Sequence, residues 1–268
     1  LLTYQSANNK KRAVFGTPDK LYEHDGDRIV DITPIVTAVT LANVFGTSSG
    51  STRVCCSDTS HNQKVGNYVY FTSTATFNAV SLSTNVYPIV SVDSTNVFTI
   101  SVTDAANATA SDVGSATFSY LLPTGNSIAT GGLGYGAAAF QATVCASQTR
   151  AWNEAASADA SDIVFDISQW SLDNWGDDVV ANRSGGNIYY FESDASTVPI
   201  RATSVTSSPV SVNSIVVSPN DRHLICLGAN SYSPTATVSG TFDPMLVRWS
   251  DQDDRTNWVP SVSSTSGE

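Results

Sequence analysis

The stretch VVANRSGGNIYYFES, residues 179–193, places two runs rich in apolar and aromatic residues on either side of a turn that contains two glycines. Glycine favours the tight turns of β-hairpins because it adopts positive φ without a steric penalty. Valine, isoleucine and tyrosine favour strands. The stretch therefore predicts a hairpin of two antiparallel strands.

The same rhythm of strand, tight turn and strand recurs along the chain. It is found in VFGTPDKLYEHDG (14–26), in IVVSPNDRHLICLGA (215–229) and, with an acidic turn before a tryptophan, in MLVRWSDQDDRTNWVP (245–260). Repetition of strand hairpins at intervals of tens of residues is typical of β-propellers. The repetition predicts an all-β chain whose body is a propeller or part of one.

A different pattern fills the segment between residues 37 and 122, where short alternating strands follow one another closely. About six or seven strands in such a segment are enough for a small sandwich or barrel. We therefore expect a first propeller unit over 1–36, an inserted β-sandwich or barrel over 37–124, and further propeller units over 125–268. The strands expected in the insertion are Val39–Phe45, Ser51–Cys56, Tyr68–Phe71, Val86–Val92, Val97–Val102 and Ala116–Leu122. The best helix candidate is Gly136–Ala160.

Charge and cysteine content limit the function classes. The 268-residue chain has 24 acidic and 13 basic residues and a net charge of −11, which disfavours a protein that grips nucleic acid. The neighbouring Cys55 and Cys56 would point to opposite faces of a strand, so we expect reduced thiols and synthesis in the cytoplasm. We expect neither a signal peptide nor a membrane anchor, since no apolar run reaches 18 residues.

Two glycine-containing motifs resemble catalytic or cofactor motifs. GTSSG at 46–50 fits the G-x-S-x-G elbow around Ser48, but the run that follows reads as a strand where the elbow needs a helix. Gly132, Gly134 and Ala137 fit G-x-G-x-x-A, with Glu154 downstream, but no strand precedes them. We interpret both motifs as turns or close-packed backbone, and no catalytic or cofactor-binding residue is predicted.

No metal site is predicted either. The histidines, His24, His61 and His223, lie in three separate segments without ligand spacing. Calcium is less strongly disfavoured, because two groups of carboxylates occur at strand ends, but neither has the spacing of a calcium loop. These groups are Asp173, Asp177 and Asp178, and Asp251, Asp253 and Asp254.

The acidic turn at 251–258 resembles the Asp-box of sialidase-like propellers, with Asp253 and Trp258 in the expected places. In that motif the aspartate binds backbone N–H groups of the turn and the tryptophan packs between strands. We therefore expect these charges to fix a turn. Arg248 and Arg255 can pair with the acids, at little net gain in stability if they are exposed. We expect the tryptophans to pack in the core and between blades, and a sugar-stacking surface is the alternative. The tryptophans are Trp152, Trp170, Trp175, Trp249 and Trp258.

Taken in order, these segments resemble one family over nearly the whole chain. The first unit, RAVFGTPDKLYEHDGDRIVDITP (12–34), is similar to the start of the tail nozzle or tail tubular proteins of tailed phages, also called packaged-DNA stabilisation proteins. SHNQKVGNYVYF, VYPIVSVDSTNVFTI and GGLGYGAAAF resemble their inserted β domain, although its usual start differs from SHNQ. WSLDNWGDDVVANRSGGNIYYFE and FDPMLVRWSDQDDRTNWVP resemble their blades. Members of this family are usually much longer.

The resemblance implies a virion structural protein without enzymatic activity. Such a protein assembles in the host cytoplasm into a homo-oligomeric ring next to adaptor or portal proteins. The ring helps to retain genomic DNA and to pass it during ejection, and DNA would move through without specific binding. The alternatives are a glycan-binding or glycan-cleaving propeller, and a capsid decoration or adhesion protein.

Overall fold

The computed structural model describes residues 1–17, 20–61, 63–122, 169–194, 201–234 and 240–268. These residues form strands, turns and loops only, so the expected all-β class is confirmed. The chain divides into two compact units. The first comprises Leu1–Ile35 and Ile167–Glu268, and the second comprises Val36–Asp166.

The second unit contains a closed six-stranded barrel in the order β10-β11-β6-β5-β12-β7. A two-stranded sheet, β8-β9, accompanies it. Closure pairs every strand of the barrel with two neighbours and so removes exposed edges. The strands are β5 (Ile35–Thr47), β6 (Arg53–Ser57), β7 (Tyr68–Phe71), β8 (Ala75–Phe77), β9 (Val80–Leu82), β10 (Val86–Ser94), β11 (Val97–Ser101) and β12 (Ala110–Leu121).

Aromatic side chains form much of the core of this unit. Phe45 stacks on Phe77 with ring centres 4.4 Å apart, and Phe71 lies 5.5 Å from Phe118. All of these residues except Phe77 are fully buried, and Phe77 is 7% exposed. Packed aromatic pairs contribute about 0.5–1.5 kcal/mol each beyond the area that they bury. The barrel therefore has its own hydrophobic core.

Cys55 and Cys56 require a correction. Cys56 is buried in the barrel core as a free thiol, whereas Cys55 is disulfide-bonded. The prediction of reduced thiols is therefore wrong for Cys55. Because neighbouring residues of β6 point to opposite faces, Cys55 and Cys56 do not form a disulfide with each other. This alternation does not prevent either of them from forming a disulfide with another cysteine. Cysteine usage thus gives no support for synthesis in the cytoplasm.

The described residues of the first unit form three antiparallel sheets, each of which follows chain order. Sheet 1 is β1-β2-β3-β4, sheet 2 is β13-β14-β15-β16 and sheet 3 is β17-β18-β19. The bounds are β1 (Leu2–Gln5), β2 (Lys11–Gly16), β3 (Leu21–His24), β4 (Ile29–Asp31), β13 (Trp170–Trp175), β14 (Asp178–Arg183), β15 (Ile188–Phe191), β16 (Thr203–Ser204), β17 (Val212–Val217), β18 (Leu224–Asn230) and β19 (Phe242–Trp249).

The first strand of each sheet lies next to the first strand of the following sheet. Strand β1 contacts β13, and β13 in turn contacts β17. Meandering sheets that meet through their first strands are the blades of a propeller. The propeller-like body is therefore present as three consecutive blades in the described part of the first unit.

Candidate functional site

In the described part of the first unit, polar side chains join neighbouring blades. In sheet 1, Arg12 contacts Glu23 at 3.1 Å and reaches Asp194, which lies between β15 and β16 of sheet 2, at 2.7 Å. Tyr4 donates its hydroxyl proton to the same Glu23. Glu23 is 2% exposed, so this cluster is a buried joint between sheets 1 and 2.

The electrostatics of this joint favour fixed charges. Burial disfavours the charge on Arg12, but Glu23 and Asp194 outweigh it and raise the pKa of the guanidinium. Burial also opposes ionisation of Asp194, and hydrogen bonds from Asn8 and the charge of Arg12 lower its pKa below the usual value. Burial, followed by Glu23, raises the pKa of Tyr4. Tyr4 therefore stays protonated while Arg12 and Asp194 stay charged.

A second ion cluster joins the same two sheets at the other end of sheet 1. Asp31 lies 3.1 Å from Arg201 and 3.2 Å from Lys20. Asp31 also accepts hydrogen bonds from the backbone and hydroxyl of Thr33, at 3.0 and 2.6 Å. Arg201 precedes β16, so its bond to Asp31 connects segments far apart in sequence. Burial opposes ionisation of Asp31, but Thr33 and Arg201 outweigh it and lower the pKa.

An apolar contact completes the joint between sheets 1 and 2. The indole of Trp170 lies so close to Gly16 that a Cβ atom at Gly16 would be 2.0 Å from Trp170 Cδ1. Real Cβ atoms do not approach other atoms so closely, so this position has room only for glycine. The expectation that tryptophans pack between blades is confirmed for Trp170.

Sheets 2 and 3 are joined through the free edge of β17. The hydroxyl of Ser171 accepts from Ile215 N at 3.1 Å and donates to Ile215 O at 2.9 Å. The carboxylate of Asp173 accepts from Val217 N at 2.7 Å. An unpaired strand edge otherwise exposes such groups to other chains. Here side chains of β13 satisfy the edge of β17.

The acidic turn is held by Asp251. Its carboxylate accepts from Thr265 N and Oγ1, at 2.8 and 2.6 Å, and from Gln252 N at 2.9 Å. It also accepts from the side chain of Asn257 at 2.9 Å. The bonds from Thr265 and Gln252 lower the pKa of Asp251 to about 2. The turn is thereby tied to the residues near the end of the chain.

Asp253 does not have the role expected from the Asp-box pattern. Asp254 accepts the turn bonds from Thr256 N and Oγ1, at 2.8 and 2.6 Å. Asp253 has φ 57, and its side chain is 67% exposed beside Arg222 at 2.9 Å. The prediction that these charges fix a turn is confirmed for Asp251 and Asp254. It is wrong for Asp253, because its backbone conformation directs the carboxylate toward solvent.

Trp258 and Arg248 anchor the turn to the core. Trp258 is fully buried, and its indole N–H donates to Arg255 O at 2.7 Å. Arg248 is also fully buried, and its guanidinium donates to Asn230 O at 3.1 Å and to Trp258 O at 2.9 Å. Burial lowers the pKa of Arg248. The predicted pairing of Arg248 with acids is wrong, because backbone carbonyls take that place.

Arg255 likewise differs from its prediction. Its guanidinium carbon lies 3.5 Å from the ring centre of Tyr190 in β15, whose hydroxyl donates to Asp178. A cation over an aromatic face contributes about 0.5–2 kcal/mol. Asp178 also accepts from Ser193 N at 3.1 Å, so it takes part in a structural network.

The remaining candidates are not brought together. Ser48 lies in the turn between β5 and β6, so the G-x-S-x-G motif is followed by a strand. The motif at 132–137, Glu154, Trp152 and the helix candidate lie outside the described residues. His61 is buried in the second unit, bonded to Ser94 O and Gln63 N. His223 Nδ1 lies 2.8 Å from Ser250 O.

The described residues also lack two other features. Within them, no group of three or more histidine, cysteine or acidic residues could hold a metal ion. No helix among them is long and apolar enough to cross a membrane.

The joints contain several residues that were not predicted as a site, chiefly Tyr4, Arg12, Glu23 and Asp194. A signal for Glu23 is nevertheless present in the sequence. In the strand LYEH, alternation puts Glu23 on the same face as the buried Leu21. A charge on the buried face of a short strand indicates a partner, but it does not identify that partner.

Comparisons with known proteins assign no family. No protein-family model matches the chain, and no match is found among curated proteins. Among solved structures, the chain is similar to the phage phi92 endosialidase. The identity is 15%, the TM-score is 0.28, and the match covers 96% of this chain and 37% of that chain. Similarity at this level assigns no function.

Proposed function

We propose that the chain is a structural protein of a phage virion that acts by assembly and not by catalysis. The observation that carries this proposal is the use of its buried charges. The buried Glu23 and Arg248 and the partly buried Asp31 are engaged in bonds that fix blades and turns. A catalytic carboxylate must instead be free to meet a substrate. Rigid joints suit a wall that carries mechanical load.

The finer proposal is a tail nozzle or head–tail conduit subunit. It is supported by the resemblance of the first unit, the insertion and the blades to tail nozzle proteins. We propose that copies form a ring beside adaptor or portal proteins and that packaged DNA passes through it. The net charge of −11 supports passage without specific binding, because an acidic surface repels phosphates.

Labelling of virions tests this proposal. Antibodies against the purified chain, carried on gold particles, are applied to phage particles from the lysate of a host that produces the protein. We expect gold at the vertex where head and tail meet. Gold spread over the capsid would support decoration instead, and absence of label from intact and opened particles would contradict a virion role.

A turnover assay tests the absence of catalysis separately. Purified protein is incubated with bacterial surface polysaccharides, and released reducing ends are measured. We expect no release above that of heat-unfolded protein. Release by the folded protein above that level, in proportion to the amount of protein added, would indicate a glycan-cleaving enzyme and contradict the proposal.

A further inference from the structure

Sheet 3 has one buried face and one apolar exposed face. Sheet 2, by contrast, buries both faces, for example Val180 on one and Ala181 on the other. On sheet 3, Ile215, Leu224 and Cys226 point into the core. The opposite face, here called the outer face of sheet 3, contains two cross-strand rows: Val216, Ile225 and Trp249, and Ser214, Leu227 and Val247.

Large apolar residues on this outer face remain exposed. Val216 is 41% exposed, and Leu227 and Val247 are each 43% exposed. Beside them, Met245 is 86% exposed on the irregular part of β19. A cluster of exposed apolar side chains on a sheet marks an interaction site more often than isolated apolar residues do.

The free edge of sheet 3 is protected, so a partner would approach the face. Pro244 cannot donate a ladder hydrogen bond, and the pairing of β19 with β18 shifts register opposite Leu227 and Ala229 of β18. Farther along, Trp249 exchanges backbone bonds with Gly267, at 2.9 and 3.2 Å. These features disfavour the addition of another strand to β19.

The outer face of sheet 1 has complementary properties. It contains a depression of about 510 Å³ lined by Thr3, Gln5, Lys11, Ala13 and His24, with Tyr4 and Arg12 between them. Alternation turns the side chains of Tyr4 and Arg12 to the opposite face, into the joint with sheet 2. Next to Ala13, the rings of Phe15 and Tyr22 stack 5.7 Å apart and remain half-buried. A concave surface beside an aromatic pair could receive the protruding side chains of sheet 3.

Exposed charges of opposite sign also lie near the two faces. Lys10 and Lys11 are exposed at the β1–β2 hairpin of sheet 1. Around sheet 3, Asp221 and Asp243 are exposed. Complementary charges orient two proteins during association and set the register of the contact.

We propose that the outer face of sheet 3 binds the outer face of sheet 1 of a second copy of this chain. This inference rests on the proposed ring assembly and names its interface. The contact is heterologous, because two different surfaces meet. Repetition of such a contact closes a ring or extends a filament, depending on the rotation between copies.

Two double variants test the contact, and each of them changes one of the two outer faces. The sheet 3 variant carries Leu227→Glu and Val247→Glu, and the sheet 1 variant carries Lys10→Glu and Lys11→Glu. Val262→Glu is the matched control, since Val262 is fully exposed in the tail beyond sheet 3. If the glutamates prevent folding, Leu227→Thr with Val247→Thr replaces them, since threonine is favoured in strands. Circular dichroism verifies each fold.

Sedimentation velocity then measures self-association over a range of concentrations. We expect wild type and the control to associate, and each face variant to associate at least about 30-fold more weakly. An equimolar mixture of the two face variants should form a dimer of one copy of each, because one intact face of each kind remains. That dimer should not grow further.

Three results would overturn the inference. The first is that the face variants associate as strongly as wild type. The second is that the mixture of the two variants forms no dimer, and the third is that wild type stays monomeric at every concentration. Virion labelling is independent of these results. If the label lies at the head–tail vertex but the face variants associate like wild type, this interface alone is rejected. If virions carry no label and wild type does not associate, the proposed function is rejected as well.

Discussion

Replacement of Arg248 by methionine tests whether this buried cation holds the acidic turn, residues 251–258, against sheet 3. The guanidinium is fully buried and donates to Asn230 O and Trp258 O at 3.1 and 2.9 Å. Hydrogen bonds that involve a charged group contribute about 1.5–3 kcal/mol each, so the two bonds amount to about 3–6 kcal/mol. Release of a buried charge offsets part of this loss.

We therefore expect Arg248→Met to lower the free energy of unfolding by about 3 kcal/mol. With a urea slope of about 2 kcal/mol/M, the midpoint falls by about 1.5 M. The assay is urea unfolding followed by tryptophan fluorescence, since Trp258 is buried beside Arg248. Arg248→Lys should lose about half as much, because an ammonium group does not reproduce the two-pronged geometry.

Arg222→Met is the matched control. Arg222 is 48% exposed and pairs with a 67% exposed Asp253, and exposed pairs contribute about 0–1 kcal/mol. If Arg248→Met unfolds at the same urea concentration as wild type, or at a higher one, the guanidinium is not a joint. Equal losses in both variants would refute the reasoning from burial.

Three further predictions concern other parts of the chain. Gly16→Ala should destabilise the first unit by about 1–3 kcal/mol in thermal unfolding, because its Cβ meets Trp170, and Trp170→Leu should reduce that loss in the double variant. The pKa of Asp251 is lowered from 3.8 to about 2, so its stabilisation is present above pH 3.8 and is lost as the pH falls through about 2. Wild type should therefore exceed Asp251→Asn in urea midpoint at pH 5, and a gap that persists unchanged at low pH would contradict this. Reduction should lower the unfolding temperature of wild type but not of Cys55→Ser, and alkylation without reduction should leave Cys55 unmodified.

The hairpins could be predicted because their turn chemistry is local. The glycine pair at 185–186 and the Asp25–Gly26 turn fix short connections, and alternation marks the strands on either side. β1, β8, β9, β13 and β16 were not predicted, and all of these except β13 have four residues or fewer, over which periodicity is a weak signal. The closed barrel and the sheet order depend on pairings between distant segments.

The joints could not be predicted for the same reason. Arg12 and Asp194 are separated by 182 residues, and only the folded chain brings them within 2.7 Å. Choosing Asp253 as the capping residue failed because motif spacing does not reveal its φ of 57. The burial of Arg248 was not predicted, although its cross-strand partner Cys226 is an apolar, buried residue. Charges on buried strand faces deserve the same weight as motifs.

We propose above that blades fixed to one another by buried side chains allow copies of the chain to assemble into a ring. Electron microscopy of the purified full chain, over a concentration range that includes the crowded conditions of a host cell, tests it most directly. We expect closed rings with rotational symmetry, in which each subunit contacts its neighbour through the same pair of surfaces. Single separate particles at every concentration, together with polysaccharide turnover in the same preparation, would contradict it.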